Sequence, residues 1–166
     1  MTMLNQYLSP LPFIAILRGI RPEESIPVAE ILFELGFRII EVPMNSPKPL
    51  DSIDAIAKRF GGESLIGAGT VLSVDDVTRV HNAGGQLIVM PHSDGAVIGA
   101  AKRLNMICTP GIATPTEGLA ALAGFWKAGA TAFGLGSALY RPGMAFADVR
   151  NNATTFVRSM GSLPQR

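Results

Sequence analysis

The sequence has 166 residues, of which 48% are hydrophobic and 16% are charged, a balance typical of one compact domain with a sizeable core. Fourteen basic and thirteen acidic residues leave a net charge of +1. The basic residues are scattered without interleaved aromatic residues, which argues against a nucleic-acid partner. A single cysteine suits a reducing compartment, and neither a signal peptide nor an apolar run of about 20 residues is visible. We therefore expect one cytoplasmic domain over residues 1–166 with no membrane partner.

Short apolar runs alternate with amphipathic stretches along the whole chain. The pattern predicts strands over 13–18, 37–42, 64–69, 86–90, 106–109 and 131–135, and helices over 22–35, 49–60, 73–83, 94–104, 115–127 and 146–160. Strands and helices in alternation predict an α/β fold with a parallel sheet, whose right-handed crossovers place all the carboxyl ends of the strands on one rim. Because a closed (β/α)₈ barrel needs eight such units, the six found here predict either an open sheet or a barrel that lacks two units.

Glu41 follows the apolar run 37–40 and opens the segment 41–47, which contains two prolines. Side chains of a strand alternate, so we expect Phe37, Ile39 and Glu41 on one face, with Glu41 as the last strand residue before proline ends the ladder. A carboxylate in this position is typical of the catalytic groups of α/β barrels. The alternative is an ion pair between Glu41 and an arginine at a neighbouring strand end.

Polar residues also follow other predicted strands. Arg18 ends the first strand and has the fork geometry that binds a carboxylate or a phosphate, although it could instead pair with Glu41. Thr70 follows small residues that let a ligand approach, but its hydroxyl could equally satisfy a loop amide. The segment 134–137 offers backbone amides and a hydroxyl before a helix, which favours a phosphate site, although its glycines could serve only tight packing.

Other reactive side chains have simpler interpretations. Cys108 lies in an apolar run and is expected to be a small buried strand residue rather than a nucleophile. His81 and His92 are the only histidines, and no cysteine or aspartate cluster at ligand spacing accompanies them. We therefore expect no metal site.

Six blocks of the sequence resemble, in the same order, the 2-keto-3-deoxy-6-phosphogluconate/galactonate aldolase family. The blocks are residues 14–20, 40–47, 65–71, 86–91, 108–111 and 134–137. The loop 45–47 and the segment 134–140 are more similar to the phosphogalactonate branch of the family. The resemblance extends from about Leu11 to Pro142.

The resemblance implies a homotrimeric (β/α)₈ barrel that needs no metal or other cofactor. Members of the family cleave a phosphorylated 2-keto-3-deoxy sugar acid to pyruvate and glyceraldehyde 3-phosphate through a lysine Schiff base. Glu41 matches the general acid/base of the family. The other matched residues are Arg18, Thr70 and Pro91 for the substrate and Gly134, Gly136 and Ser137 for the phosphate.

The sequence departs from the family at the Schiff-base lysine. The family carries this lysine on strand six in a Lys-hydrophobic-Phe-Pro run, and no such run occurs here. Strand seven with its Gly-Gly phosphate loop is also absent, so that about forty residues are missing near Leu122–Trp126, two barrel units' worth. The lysines that remain lie in predicted loops or helices and are not expected to replace it: Lys48, Lys58, Lys102 and Lys127.

Several functions are therefore compatible with the sequence. A chain without the lysine segment should show no appreciable aldol cleavage, whereas a chain that carries it would be an ordinary lysine-dependent aldolase. The substrate could be the phosphogalactonate or the phosphogluconate compound. The rivals are a non-catalytic module that binds sugar phosphates and a remnant that binds no ligand. A different phosphate-binding barrel, such as an isomerase, would not account for Glu41 and Arg18.

Overall fold

A parallel sheet forms the centre of the molecule. The computed structural model describes residues 3–8, 11–91, 94–110 and 133–161. Its six strands are β1 (Phe13–Ile16), β2 (Ile39–Pro43), β3 (Leu65–Gly69), β4 (Leu87–Met90), β5 (Ile107–Pro110) and β6 (Phe133–Leu135). All of the pairings are parallel, in the order β5-β4-β3-β2-β1-β6, so the first strand lies between the second and the last. The prediction of six parallel strands is confirmed.

Helices connect the strands as the alternating pattern predicts. They are α1 (Met3–Leu8), α2 (Pro22–Glu34), α3 (Pro49–Phe60), α4 (Val74–Asn82), α5 (Gly95–Arg103) and α6 (Phe146–Gly161). Prolines open α2 and α3, and side chains cap α4 and α5, since Ser73 accepts from the Asp76 amide and Asp94 from two amides of its helix. The predicted helix over 115–127 lies outside the described residues.

The two faces of the sheet are covered differently. Helices α2 to α6 pack on one face, where they form the main hydrophobic core. The other, inner face carries a small separate cluster built around Ile39, Leu65 and Leu87. Helix α1, which the sequence analysis did not predict, packs its apolar residues against this inner cluster. A six-residue helix is not stable alone, so its formation depends on that tertiary contact.

The predicted second strand, 37–42, starts two residues too early and ends one residue too early. Phe37 precedes β2 and packs in the helix-covered core, with its ring 5.7 Å from that of Phe13. The amide of Met44 still donates to the Gly69 carbonyl at 2.8 Å, because a proline removes only its own N–H from the ladder. Glu41 therefore lies in the middle of β2, on the inner face with Ile39.

Replacement of Ser52 by alanine should stabilise the fold. Ser52 is fully buried in α3, and its hydroxyl has no hydrogen-bond partner in the part of the chain that the structure describes. Alanine removes this unsatisfied group and is the better helix former, so we expect Ser52→Ala to raise the free energy of unfolding by about 1 kcal/mol. Urea denaturation measures the change. Ser25→Ala is the matched control, because the Ser25 hydroxyl donates to the Pro22 carbonyl at 2.7 Å. Equal losses in both variants would contradict the prediction.

Candidate active site

The carboxyl group of Glu41 is buried on the inner face of the sheet. The residue is 3% exposed, and one of its oxygens, Oε2, has no hydrogen-bond partner among the described residues. Strand β3 lies alongside, with Glu41 paired to Gly67 and Pro43 paired to Gly69. Gly69 lies directly against the carboxyl group, since a Cβ atom there would collide with it. The absent side chain of Gly69 is therefore what makes room for the acid.

The surroundings of Glu41 favour its neutral form. Burial raises the pKa of Glu41 to about 8, while the positive charge of Arg18 and a backbone hydrogen bond from Gly69 act in the opposite direction without cancelling it. A carboxyl group with such a pKa exchanges its proton near neutral pH. Because buried polar atoms are normally paired, an unpartnered oxygen on an acid of this kind is typical of a general acid/base.

Arg18 lies beyond the end of β1 rather than within it. It occupies the turn that follows the strand, and its side chain is exposed. In the described part of the chain no ion pair within 4.0 Å joins Arg18 to Glu41, although its charge lowers the pKa of that acid. The alternative of a structural salt bridge between the two is therefore not supported.

Thr70 has a strained backbone at the end of β3. Its φ is +56°, in the left-handed region that a β-branched residue rarely adopts. Such a conformation costs of order 1–3 kcal/mol and is concentrated at functional sites. No hydrogen bond to the Thr70 hydroxyl is found within the described ranges, so its predicted alternative role in satisfying a loop amide lacks support. Pro91, which follows β4, is exposed.

The segment after β6 differs from its prediction. Gly136 and Ser137 do not precede a helix, because the Gly136 carbonyl accepts from the amides of Leu139 and Tyr140 at 2.8 and 3.1 Å and so closes a turn. Helix α6 begins only at Phe146. The helix N-terminus that the phosphate interpretation assumed is therefore not at Ser137, and only the turn itself could contribute amides there.

The parallel sheet brings the predicted residues to one edge. Strand β2 carries Glu41 and lies between β1, which leads to Arg18, and β3, which leads to Thr70. Strand β6, which contains Gly134, lies on the other side of β1. No lysine ends a strand in the ranges that the structure describes. The described lysines are exposed at Lys48, Lys58 and Lys102, and Lys127 lies outside those ranges.

The sequence analysis missed two contacts in this region. The small residues before Thr70 were interpreted as space for a ligand, whereas Gly69 makes space for the Glu41 carboxyl. Ser46 was not singled out, yet its hydroxyl accepts a hydrogen bond from the Gly19 amide at 2.9 Å. No local pattern could indicate this contact between residues 27 positions apart.

The remaining candidates make no second site. Cys108 lies in β5 as predicted, but it is half-buried rather than buried. It packs against the main core, and burial raises the pKa of its thiol. His81 is exposed near the end of α4, and His92 lies outside the described residues. Across residues 3–8, 11–91, 94–110 and 133–161, no three His, Cys, Asp or Glu side chains are grouped to hold a metal ion. None of the helices in those ranges could cross a membrane.

Comparison with known proteins agrees with the resemblance. The family model described as KDPG and KHG aldolase matches residues 4–150. A probable 2-dehydro-3-deoxy-6-phosphogalactonate aldolase of Rhizobium meliloti is 39% identical over 86% of this chain and 88% of its own length. That alignment has 186 positions, whereas 86% of 166 residues is about 143, so about forty positions of the relative have no counterpart here. The difference agrees in size with the segment that the sequence lacks.

Two further comparisons differ in how much of the other protein is matched. The 2-dehydro-3-deoxy-6-phosphogalactonate aldolase of Escherichia coli is 44% identical over 70% of this chain, but the match spans only 57% of the length of that relative. A solved structure of native KDPGal superposes with a TM-score of 0.87 and 32% identity, over 91% of this chain and 95% of the other. Sequence and fold together show that this chain belongs to the KDPG and KHG aldolase family.

Proposed function

We propose that this chain carries the acid/base part of a Schiff-base aldolase site for 2-dehydro-3-deoxy-6-phosphogalactonate. The observation that carries the proposal is the buried carboxyl of Glu41, with its unpartnered oxygen and its pKa of about 8. The relatives from R. meliloti and E. coli bear the name of this activity. The corresponding phosphogluconate compound, KDPG, is the second candidate substrate, since the description of the matching family model names KDPG aldolase.

The role that we assign to Glu41 in the lysine-dependent reaction is proton transfer. Cleavage of the bond between C3 and C4 requires a base that removes the C4 hydroxyl proton, while the bonding electrons move toward an iminium at C2. The products are glyceraldehyde 3-phosphate and the enamine of pyruvate, which takes up a proton at C3. Ionised Glu41 accepts the first proton and neutral Glu41 donates the second. An acid that titrates near neutral pH serves in both directions.

Substrate binding is assigned to groups on the same edge of the sheet. Arg18 offers its guanidinium to the negative groups of the sugar acid, and Thr70 and Pro91 lie at the ends of the next two strands along from β2. We assign the phosphate to Gly134 in β6 and to Gly136 and Ser137 in the turn that follows it. We further propose that the chain acts in the cytoplasm, as its single cysteine suits, and that it forms a homotrimer, as the family resemblance implies.

The amine for the Schiff base is the missing part. A lysine that forms an imine needs a desolvated position beside the carbonyl carbon, and the three described lysines are exposed. We therefore propose that the 166-residue chain binds the substrate or its pyruvate part without appreciable cleavage. The second candidate function is therefore that of a non-catalytic module that binds sugar phosphates.

Borohydride trapping should distinguish these functions. The 166-residue chain, verified by an intact mass near 17.5 kDa, is incubated with pyruvate and sodium borohydride, and its mass is measured again. We expect no covalent adduct and no release of pyruvate from the phosphogalactonate substrate, because no suitable lysine is present. An adduct on any lysine would overturn the expected inactivity. Thermal stabilisation by the sugar phosphate without product would support the binding module, and the absence of any shift would contradict both functions.

Replacement of Glu41 by glutamine should stabilise the fold more strongly at alkaline pH. The folded pKa of about 8 lies above the ordinary value of 4.5, so the folded state binds the proton more tightly and stability falls as pH rises between these values. Glutamine removes this dependence. We expect the gain in unfolding free energy to be larger at pH 8 than at pH 5 by about 3 kcal/mol. Urea denaturation at both pH values tests this, and a gain independent of pH would contradict the buried acid.

Two glycines of β3 should respond differently to alanine. The three atoms nearest to a Cβ on Gly69 all belong to the movable carboxyl end of Glu41, whereas a Cβ on Gly67 meets the backbone of Leu87. We expect Gly69→Ala to fold but to displace the acid, so that the raised pKa of Glu41 falls toward its ordinary value. Gly67→Ala should lower the free energy of unfolding by about 3 kcal/mol or prevent folding, because the backbone of the neighbouring strand cannot move away. Urea denaturation and carboxyl titration measure both effects, and equal destabilisation would contradict this interpretation.

A further inference from the structure

Three loops at the carboxyl edge of the sheet meet at Gly19, the residue after Arg18. The Gly19 amide donates to the hydroxyl of Ser46, in the loop after β2, at 2.9 Å. On its other side Gly19 packs against Pro142, in the segment after β6, so closely that a Cβ would lie 2.6 Å from the Pro142 Cγ atom. The φ of Gly19 is +76°, which also favours glycine. The turn that carries Arg18 is therefore held from both sides.

A hydrogen bond joins the segment after β6 to the start of α2. Tyr140 is 2% exposed, and its hydroxyl donates to Glu24 Oε2 at 3.2 Å. The Glu24 carboxylate also accepts from the Arg21 amide at 3.2 Å and forms an ion pair with the Arg21 guanidinium at 3.1 Å. Burial raises the pKa of Tyr140, while the bond to Arg21 holds the pKa of Glu24 below its usual value. The phenol therefore remains the donor and the carboxylate the acceptor over the neutral range.

These contacts fix the backbone that carries the exposed Arg18 side chain. A free arginine side chain explores many rotamers, and Arg18 has no ion pair within the described part of the chain that could restrain it. The region that the Arg18 guanidinium can reach is therefore set by the backbone of the turn. That backbone is fixed at Gly19 by Ser46 and Pro142, and at the start of α2 by Glu24 and Tyr140.

We propose that Ser46 and Tyr140 are positioning residues, which hold the turn after β1 so that the Arg18 guanidinium faces the space beside Glu41. Neither residue needs to touch the substrate for this role. The proposal rests on the proposed site of Arg18 and Glu41, but its test requires neither turnover nor a ligand. Arg18 is the charged side chain that acts on Glu41 among the described residues, so the ionisation of Glu41 reports where that charge lies.

The test is the titration of the Glu41 carboxyl, followed by NMR in the full chain with ¹³C-labelled glutamate and assigned by comparison with Glu41→Gln. Arg18→Gln sets the scale, since loss of the positive charge should raise the pKa of Glu41. We expect Ser46→Ala and Tyr140→Phe each to reproduce at least about a third of that rise, because the guanidinium then moves away from the acid. Ser46→Thr restores the acceptor hydroxyl and should return the pKa to that of the unmodified chain.

Ser64→Ala is the matched control. Ser64 is a buried serine like Ser46, but it lies at the amino end of β3 and its hydroxyl has no partner within the described residues. It should leave the pKa of Glu41 unchanged. Tyr140→Phe keeps the buried ring and should fold, so it carries the test by itself if Ser46→Ala does not fold.

Three results would overturn the proposal. One is an unchanged pKa of Glu41 in Tyr140→Phe and in any folded Ser46→Ala variant while Arg18→Gln raises it. Another is no effect of Arg18→Gln, which would show that the charge does not face the acid. The third is an equal shift of the Glu41 pKa in Ser64→Ala, which would indicate that any loss of packing in the fold changes this pKa. If the expected pattern of pKa values appears but neither pyruvate nor inorganic phosphate binds, the proposed function fails and the positioning role stands.

Discussion

The contact between the Glu41 carboxyl and the bare backbone of Gly69 is the constraint on which the site depends. An acid in the middle of a buried strand is unfavourable, because its charged form loses water and gains little in return. The neighbouring strand accommodates it by presenting a glycine at the required position. The result is an acid whose pKa of about 8 lies close to physiological pH and whose second oxygen remains available. Both proton transfers assigned to Glu41 use this one property.

The parallel sheet then determines what surrounds the acid. Because β1 and β3 flank β2, the residues that follow those strands, Arg18 and Thr70, lie on either side of Glu41 at the same edge. The loops at this edge are joined directly, through Ser46 and Pro142 at Gly19 and through Tyr140 at Glu24. These links lie between segments far apart in sequence. The edge therefore behaves as an assembled surface rather than as a set of independent loops.

Two features of this region are unfavourable for folding. The unpartnered oxygen of Glu41 costs stability, and so does the left-handed conformation of Thr70 directly after Gly69. Natural chains retain such costs mainly where a function depends on them. In a chain without the Schiff-base lysine, their retention favours ligand binding as the role that remains. An entirely vestigial fold would have no need of a buried acid whose neutral form is preferred.

The sequence by itself determined the local elements and the family. The alternation of apolar runs with amphipathic stretches predicted six parallel strands, and the prolines and polar caps predicted where the helices begin, since these signals act over a few neighbouring residues. The matched blocks identified Glu41 and Arg18, and the missing lysine was visible as an absent run. Only the tertiary structure decided that Glu41 lies mid-strand and that the segment after β6 forms a turn before α6. It alone decided that Gly69 accommodates the acid and that Ser46 bonds to Gly19. The physical reason is that burial, close packing and hydrogen bonds between distant residues depend on how the elements are arranged in space, which no short stretch of sequence encodes.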